Sequence, residues 1–174
     1  QSIYSHPVDY FYDWMVEILA GGDPQGRTGQ STPRATHLIK RACQAALGRV
    51  PQLEIFGTDF PTRDGTGVRD YIHVTDLVAA HAAALGHLEQ GGQSTTLNCG
   101  YGRGFSVREV IETVSRIAGR AIPTLESPRR PGDVPEIIAD SSRLKALLHW
   151  RPEHDDLEQI VATAYAWEKR RNSV

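Results

Sequence analysis

Two arginines set beside glycine-bearing turns carry the chemistry this sequence offers. Arg69 ends the run Asp64-Gly-Thr-Gly-Val-Arg69, which continues as Asp70-Tyr-Ile-His-Val74. Arg130 stands in Arg129-Arg-Pro-Gly-Asp133. A guanidinium presents parallel N–H donors that match two phosphate oxygens, and a strand start or a proline turn holds it still. Two such groups could pinch a diphosphate. Asp133 could then accept from vicinal hydroxyls, and the set would complement a nucleoside diphosphate. Each residue also has a plain structural role open to it: Arg69 could pair with Asp64 or Asp70, and Asp133 could cap its own turn.

Three other patterns imitate chemistry and fail on detail. Gly100-x-Gly-x-Gly104 resembles a dinucleotide loop, but that fingerprint is G-x-G-x-x-G, and Phe105 stands where the third glycine belongs. It is read as a turn that lets a strand and a helix pack. Tyr165 and Lys169 have the Tyr-x-x-x-Lys spacing of a proton-transfer pair, yet they fall near the end of the last helix as an ordinary i, i+4 pair. The seven histidines include no HxH or HxxxH pair, and Cys43 and Cys99 form no CxxC. No catalytic residue and no metal site is therefore assigned.

Composition bounds the rest. The 174 residues suit one domain, with 40% apolar and 23% charged residues and a net charge of −2. That charge exerts no overall pull on nucleic acid or an anionic membrane. There is no apolar run of 18 residues and no charged-then-apolar leader. Two cysteines in apolar surroundings read as buried free thiols in a reducing compartment, so the expected location is cytoplasmic. Gln at position 1 suggests a processed or partial chain.

The elements that must hold the arginines follow from periodicity. Residues 1–20 crowd Tyr4, Tyr10, Phe11, Tyr12 and Trp14 together, and Val16, Ile18 and Leu19 could extend them as one short helix. Leu38, Ile39, Ala42, Cys43, Ala46 and Leu47 predict a helix stopped by Gly48. Leu53–Phe56 reads as a strand, and so does Val68–Val74. Thr75-Asp76 then caps a helix to about Leu88. A strand is expected at Thr95–Cys99. Ser106-Val-Arg-Glu109 is a capping box for a helix ending at Gly119. A strand Ile137–Ala139 and two helices close the chain: Ser142–Trp150, then Asp155 to about Arg171, capped by Asp155 with Glu158. Alternating strands and helices predict an α/β fold.

With Asp64–Val74, Leu97-Asn-Cys-Gly-Tyr-Gly102 and Pro128–Asp133 in this order, the chain resembles the UDP-glucose 4-epimerases, extended short-chain dehydrogenase/reductases. The likeness runs from about Gly21 to Arg171. It takes in Asp23-Pro-Gln-Gly-Arg-Thr-Gly-Gln30, Ile55-Phe-Gly-Thr-Asp-Phe-Pro61, Trp150 and Trp167. The resemblance implies the C-terminal substrate domain of such an enzyme without its complete Rossmann domain. Residues 1–20 would be an unmatched segment and 21–174 the UDP-sugar-binding domain. It implies Arg69 and Arg130 on the diphosphate, Asp133 facing the ribose, Glu54, Ile55 and Phe56 on the strand beside uracil, and a nucleotide contact from the backbone of Leu38.

Two positions depart from that family's pattern: His37 stands where an asparagine commonly binds phosphate, and Ile18 replaces an asparagine. The glycine-rich NAD loop and the catalytic Ser and Tyr-x-x-x-Lys have no counterpart. In the intact family NAD takes a hydride from the sugar C4 while a tyrosinate takes the hydroxyl proton. The 4-keto sugar then turns and is reduced on its other face, interconverting UDP-glucose and UDP-galactose. The family also forms homodimers. For this chain the resemblance implies no NAD of its own, and leaves two readings: an incomplete epimerase half, or a noncatalytic UDP-sugar-binding or interaction module.

Overall fold

The structure, a computed structural model, describes residues 19–31 and 36–171. It is α/β. In chain order the elements are β1 (Leu19–Ala20), α1 (Leu38–Ala46), β2 (Leu53–Phe56), β3 (Val68–Arg69), β4 (Ile72–His73), α2 (Val74–Glu89), β5 (Phe105–Ser106), α3 (Val107–Ala118), β6 (Thr124–Ser127), β7 (Glu136–Ile137), α4 (Ser142–Leu148) and α5 (Leu157–Arg170). The strands make three small sheets: β1 parallel to β4, β2 parallel to β6, and β3 between antiparallel β5 and parallel β7.

The main core lies among α1, α3 and α5 and the inner face of β2. It is built from Ala42, Cys43, Val110, Val114, Ile160 and Val161, with Leu53 and Ile55 from the strand. Helix α3 forms where its cap is strongest. Ser106 Oγ accepts from the Glu109 amide at 3.1 Å, and Glu109 accepts from the Ser106 amide at 2.7 Å. Its apolar residues then recur on one face toward that core. A second cluster gathers Ile72, Ala80, Leu144 and Trp150 under α2 and α4. Helix α2 carries apolar residues on more than this face, and Val78, Leu85 and Leu88 stay exposed.

Several expectations are corrected. The stretch Val68–Val74 is two short strands, because Asp70 turns inward between them to accept amides from distant loops. Helix α2 therefore starts at Val74, and His73 caps it by accepting from the Thr75 amide. Thr95–Cys99 forms no strand: it lies mostly at the surface and pairs with none of the described strands. Leu19 begins β1, held by pairing with Ile72, rather than ending a helix. The other aromatic-rich positions lie outside the described residues. Strand β7 is Glu136–Ile137, helix α4 stops at Leu148 because His149 turns left-handed, and Asp156, not Asp155, caps α5 by accepting from Gln159. Cys43 is buried as expected, whereas Cys99 is only half-buried. No helix among the described residues is long and apolar enough to cross a membrane.

Candidate functional site

Strand β3 holds Arg69 with backbone partners on both sides, Phe105 in β5 and Ile137 in β7. The turn before it depends on Gly65, whose φ is 80° and whose missing Cβ would meet the Thr58 carbonyl oxygen at 2.1 Å. Neither nearby aspartate takes the guanidinium. Asp64 accepts from the Thr66 amide at 2.9 Å and from Ser106 Oγ at 2.5 Å. Burial pushes its pKa up, but the bonds from Ser106 and Thr66 prevail and hold it below the ordinary carboxylate range. Asp70 accepts amides of Tyr101, Gly102 and Ala139 at 3.1, 2.9 and 3.3 Å. Arg69 Nη1 instead donates to the carbonyls of Val68 and Val134 at 2.8 and 3.1 Å, partners that hold the cation without neutralising it.

Arg130 comes from the loop between β6 and β7. Its Nε and Nη2 reach the two carboxylate oxygens of Asp133 at 2.9 and 3.1 Å, and its guanidinium carbon sits 5.2 Å from the Phe56 ring centroid. The preceding arginine is used differently: Arg129 pairs with Asp59 at 2.7 Å and lies over Phe60 at 4.2 Å. The two arginines that adjoin in sequence are thus separated in space by what they stack on.

These groups open onto one cavity of about 370 Å³. Leu38, Glu54, Phe56, Arg69, Arg130 and Asp133 all line it. Ile55 does not: strand alternation turns its side chain into the core, where it is 1% exposed. Glu54, on the opposite face, is exposed and accepts from Ser127 Oγ at 2.5 Å. The walls also include residues that sequence reasoning did not assign, among them His37, Arg41, Phe60 and Tyr71. Helix α1 brings in Arg41, which no local signal marks, and the link between β3 and β4 brings in Tyr71 from within the run 64–74. His37 sits at the amino end of α1 with an extended backbone. Burial first, and then the Lys40 charge, lower its pKa from the usual value. The cavity thus combines cations, an aromatic floor and an acceptor, suited to a phosphate-bearing ligand with a flat, partly polar end.

The decoy patterns resolve into structure. In the glycine turn 100–104, the Tyr101 and Gly102 amides already bind Asp70, and a Cβ on Gly100 would meet Asp70 Oδ2 at 2.7 Å. That turn cradles a carboxylate of its own chain and does not offer its amides to a dinucleotide. Tyr165 packs on the main core, and neither it nor Lys169 reaches the cavity. Among the described residues no group of three or more His, Cys, Asp or Glu could hold a metal.

Residues 18–100 match the NAD dependent epimerase/dehydratase family. A UDP-glucose 4-epimerase of Azospirillum brasilense is 57% identical over 151 residues, which is 87% of this chain and 43% of that protein. Among solved structures, a UDP-glucose 4-epimerase from Brucella ovis in complex with NAD aligns with a TM-score of 0.82 and 38% identity, over 91% of this chain and 52% of that one. One from Bifidobacterium longum in complex with NAD+ and UDP aligns with a TM-score of 0.81 and 30% identity, over 95% and 52%. The chain spans about half the length of the relatives it matches.

Proposed function

We propose, from the premise that this chain belongs to the NAD dependent epimerase/dehydratase family, that it is the UDP-sugar-holding half of a UDP-glucose 4-epimerase. What supports this reading is the convergence of Arg69 and Arg130 with Asp133, Phe56 and the start of α1 on one cavity. The two guanidinium groups grip the diphosphate. Asp133, released from Arg130, accepts from the ribose hydroxyls. Uracil lies against the Glu54–Phe56 strand, and the amino end of α1 at Leu38 adds backbone N–H donors facing negative charge.

Inversion at a sugar C4 requires the nucleotide to stay fixed while the hexose turns over. We assign the residues in this cavity a part in that by position, not by proton transfer at C4. The hydride acceptor of the reaction is NAD, which we assign to a part of the intact protein other than these residues. On that assignment the chain by itself has no epimerase activity, and residues 21–174 act as the substrate-binding unit. Its small-molecule partners are UDP-glucose and UDP-galactose.

Calorimetric titration with UDP tests the reading. A charged hydrogen-bonding group contributes about 1.5–3 kcal/mol, which is roughly 10- to 150-fold in Kd. Arg69→Ala should lie well inside that range. Arg130→Ala should lie at its lower end, because its side chain is 46% exposed and must leave Asp133 to reach a ligand. UDP binding that is unchanged in both variants would refute the clamp.

A further inference from the structure

We infer that the buried ion pair between Lys40 and Glu168 positions His37 on the cavity wall, acting through Gln30. The inference rests on the proposed reading of that cavity as the nucleotide site. Lys40 lies on the inward face of α1 with its side chain 4% exposed, and Glu168 on α5 is 3% exposed. Their charged atoms are 3.1 Å apart. Glu168 also takes Arg49 at 2.8 Å and Arg171 at 3.5 Å, so three cations meet its carboxylate.

Such a pair is a poor device for stability alone, because desolvation offsets most of the attraction and apolar residues would pack as well. Its advantage is direction. Lys40 Nζ has a second partner, the Gln30 carbonyl at 2.8 Å, and Trp167 Nε1 donates to the same oxygen at 3.1 Å. The Gln30 backbone is thereby pinned from behind the cavity by α1 and α5 together. Its side-chain amide nitrogen then lies 3.2 Å from His37 Nε2. With the amide nitrogen facing it, we assign Nε2 as the acceptor, which leaves the proton of the neutral imidazole on Nδ1. His37 is 5% exposed and forms part of two walls: that of the ligand cavity and that of a small void of about 20 Å³ lined also by Gln30, Lys40, Trp167 and Glu168. The ion pair, the glutamine and the histidine thus form one chain of contacts ending at the wall of the ligand cavity.

The test uses ring nitrogen NMR of the histidines at pH 7.5 alongside UDP calorimetry. The variants are Gln30→Ala, Lys40→Met and the apolar double variant Lys40→Met/Glu168→Leu, each taken at a temperature where circular dichroism reports full folding. In the parent protein the His37 signals should report a single Nδ1–H tautomer. In every folded variant they should shift toward a tautomer mixture, and UDP should bind about tenfold more weakly, as for one lost hydrogen bond. A purely structural pair would lower the melting temperature and leave both readouts alone; an unchanged tautomer in Gln30→Ala or in the double variant overturns the inference. Should the ion-pair variants fail to fold, Gln30→Ala keeps the pair and still decides. If the parent protein binds no UDP, the nucleotide reading fails, while the tautomer measurement stands or falls by itself.

Discussion

Acidification should destabilise this fold through one buried side chain, His73. The imidazole is wholly buried. Its Nδ1 accepts from the Thr75 amide at 3.1 Å, its Nε2 lies 3.1 Å from Thr163 Oγ1, and the His154 ring is centred 4.6 Å away. Protonating it would set two N–H groups where Nδ1 must accept, next to a second titratable ring. Burial, then the charge of His154, hold its pKa down at about 4 against an ordinary 6.5, with Asp76 and Asp23 pulling weakly the other way. The folded value lies below the unfolded one. The stability His73 contributes is therefore complete above pH 6.5 and is lost as pH falls toward 4. At about 1.36 kcal/mol per pH unit the whole effect is about 3 kcal/mol, and most of it, about 2 kcal/mol, falls between pH 7 and 4.5.

Urea unfolding followed by circular dichroism at steps from pH 7.5 to 4.5 measures that loss. His73→Asn is the comparison, because asparagine can still cap α2 by accepting from Thr75 but does not titrate. His37 is also held low by burial and by Lys40, so it adds a loss of the same sign to both proteins and cancels in the difference. The carboxylates with lowered pKa, Asp23, Asp59, Asp64 and Asp140, begin from 3.8 and lose their contribution below the window. The parent protein should therefore lose about 2 kcal/mol more than His73→Asn on going from pH 7 to 4.5. Parallel profiles for the two proteins would refute the reasoning.

Two further outcomes follow from buried groups. Asp70→Asn should destabilise the fold by about 2–4 kcal/mol, since an amide must turn a donor toward at least one of the three backbone N–H groups that the carboxylate now accepts; a urea midpoint unchanged from the parent would contradict this. A disulfide-exchange thiol reagent at pH 8 should label neither cysteine in the folded protein within minutes and both in denaturant. Burial, then the charge of Glu168, push Cys43 up to about 12, and burial, then Asp70, push Cys99 up to about 11; rapid labelling of the folded chain would contradict it.

The elements legible in the sequence are those whose causes are local. Strand β2 matches its alternation, and α3 matches its capping box and the left-handed Gly119 that ends it. What was not legible depends on partners far along the chain. Nothing near Asp70 announces that its acceptors are wanted by residues 101, 102 and 139, so Val68–Val74 reads as one strand when it is two. Thr95–Cys99 has strand-like residue types and no described strand beside it, and propensity without pairing makes no sheet. Nothing in the sequence around Lys40 announces that α5 brings Glu168 against it.

The candidate site divides the same way, and the division explains how its charge is kept available. The turn residues foretell that Arg69 and Arg130 are held rigidly, but not where the nearby negative charge goes. Asp64 is taken up by a hydroxyl and by Thr66, and Asp70 by three amides, so two carboxylates flank β3 without neutralising its arginine. Arg129 absorbs Asp59 on the far side of Phe60. Among the described residues Asp133 is a carboxylate that does pair with an arginine of the cavity, and the nucleotide reading has another use for it: a diphosphate that draws Arg130 toward itself frees Asp133 for hydroxyl donors. On that proposed reading, one exchange of partners readies both the phosphate and the ribose contacts. Asp133→Ala should then act in two opposing directions, exposing Arg130 to phosphate while removing an acceptor for the ribose. UDP affinity should consequently change less in Asp133→Ala than in Arg69→Ala, a ranking set by where this fold places its carboxylates.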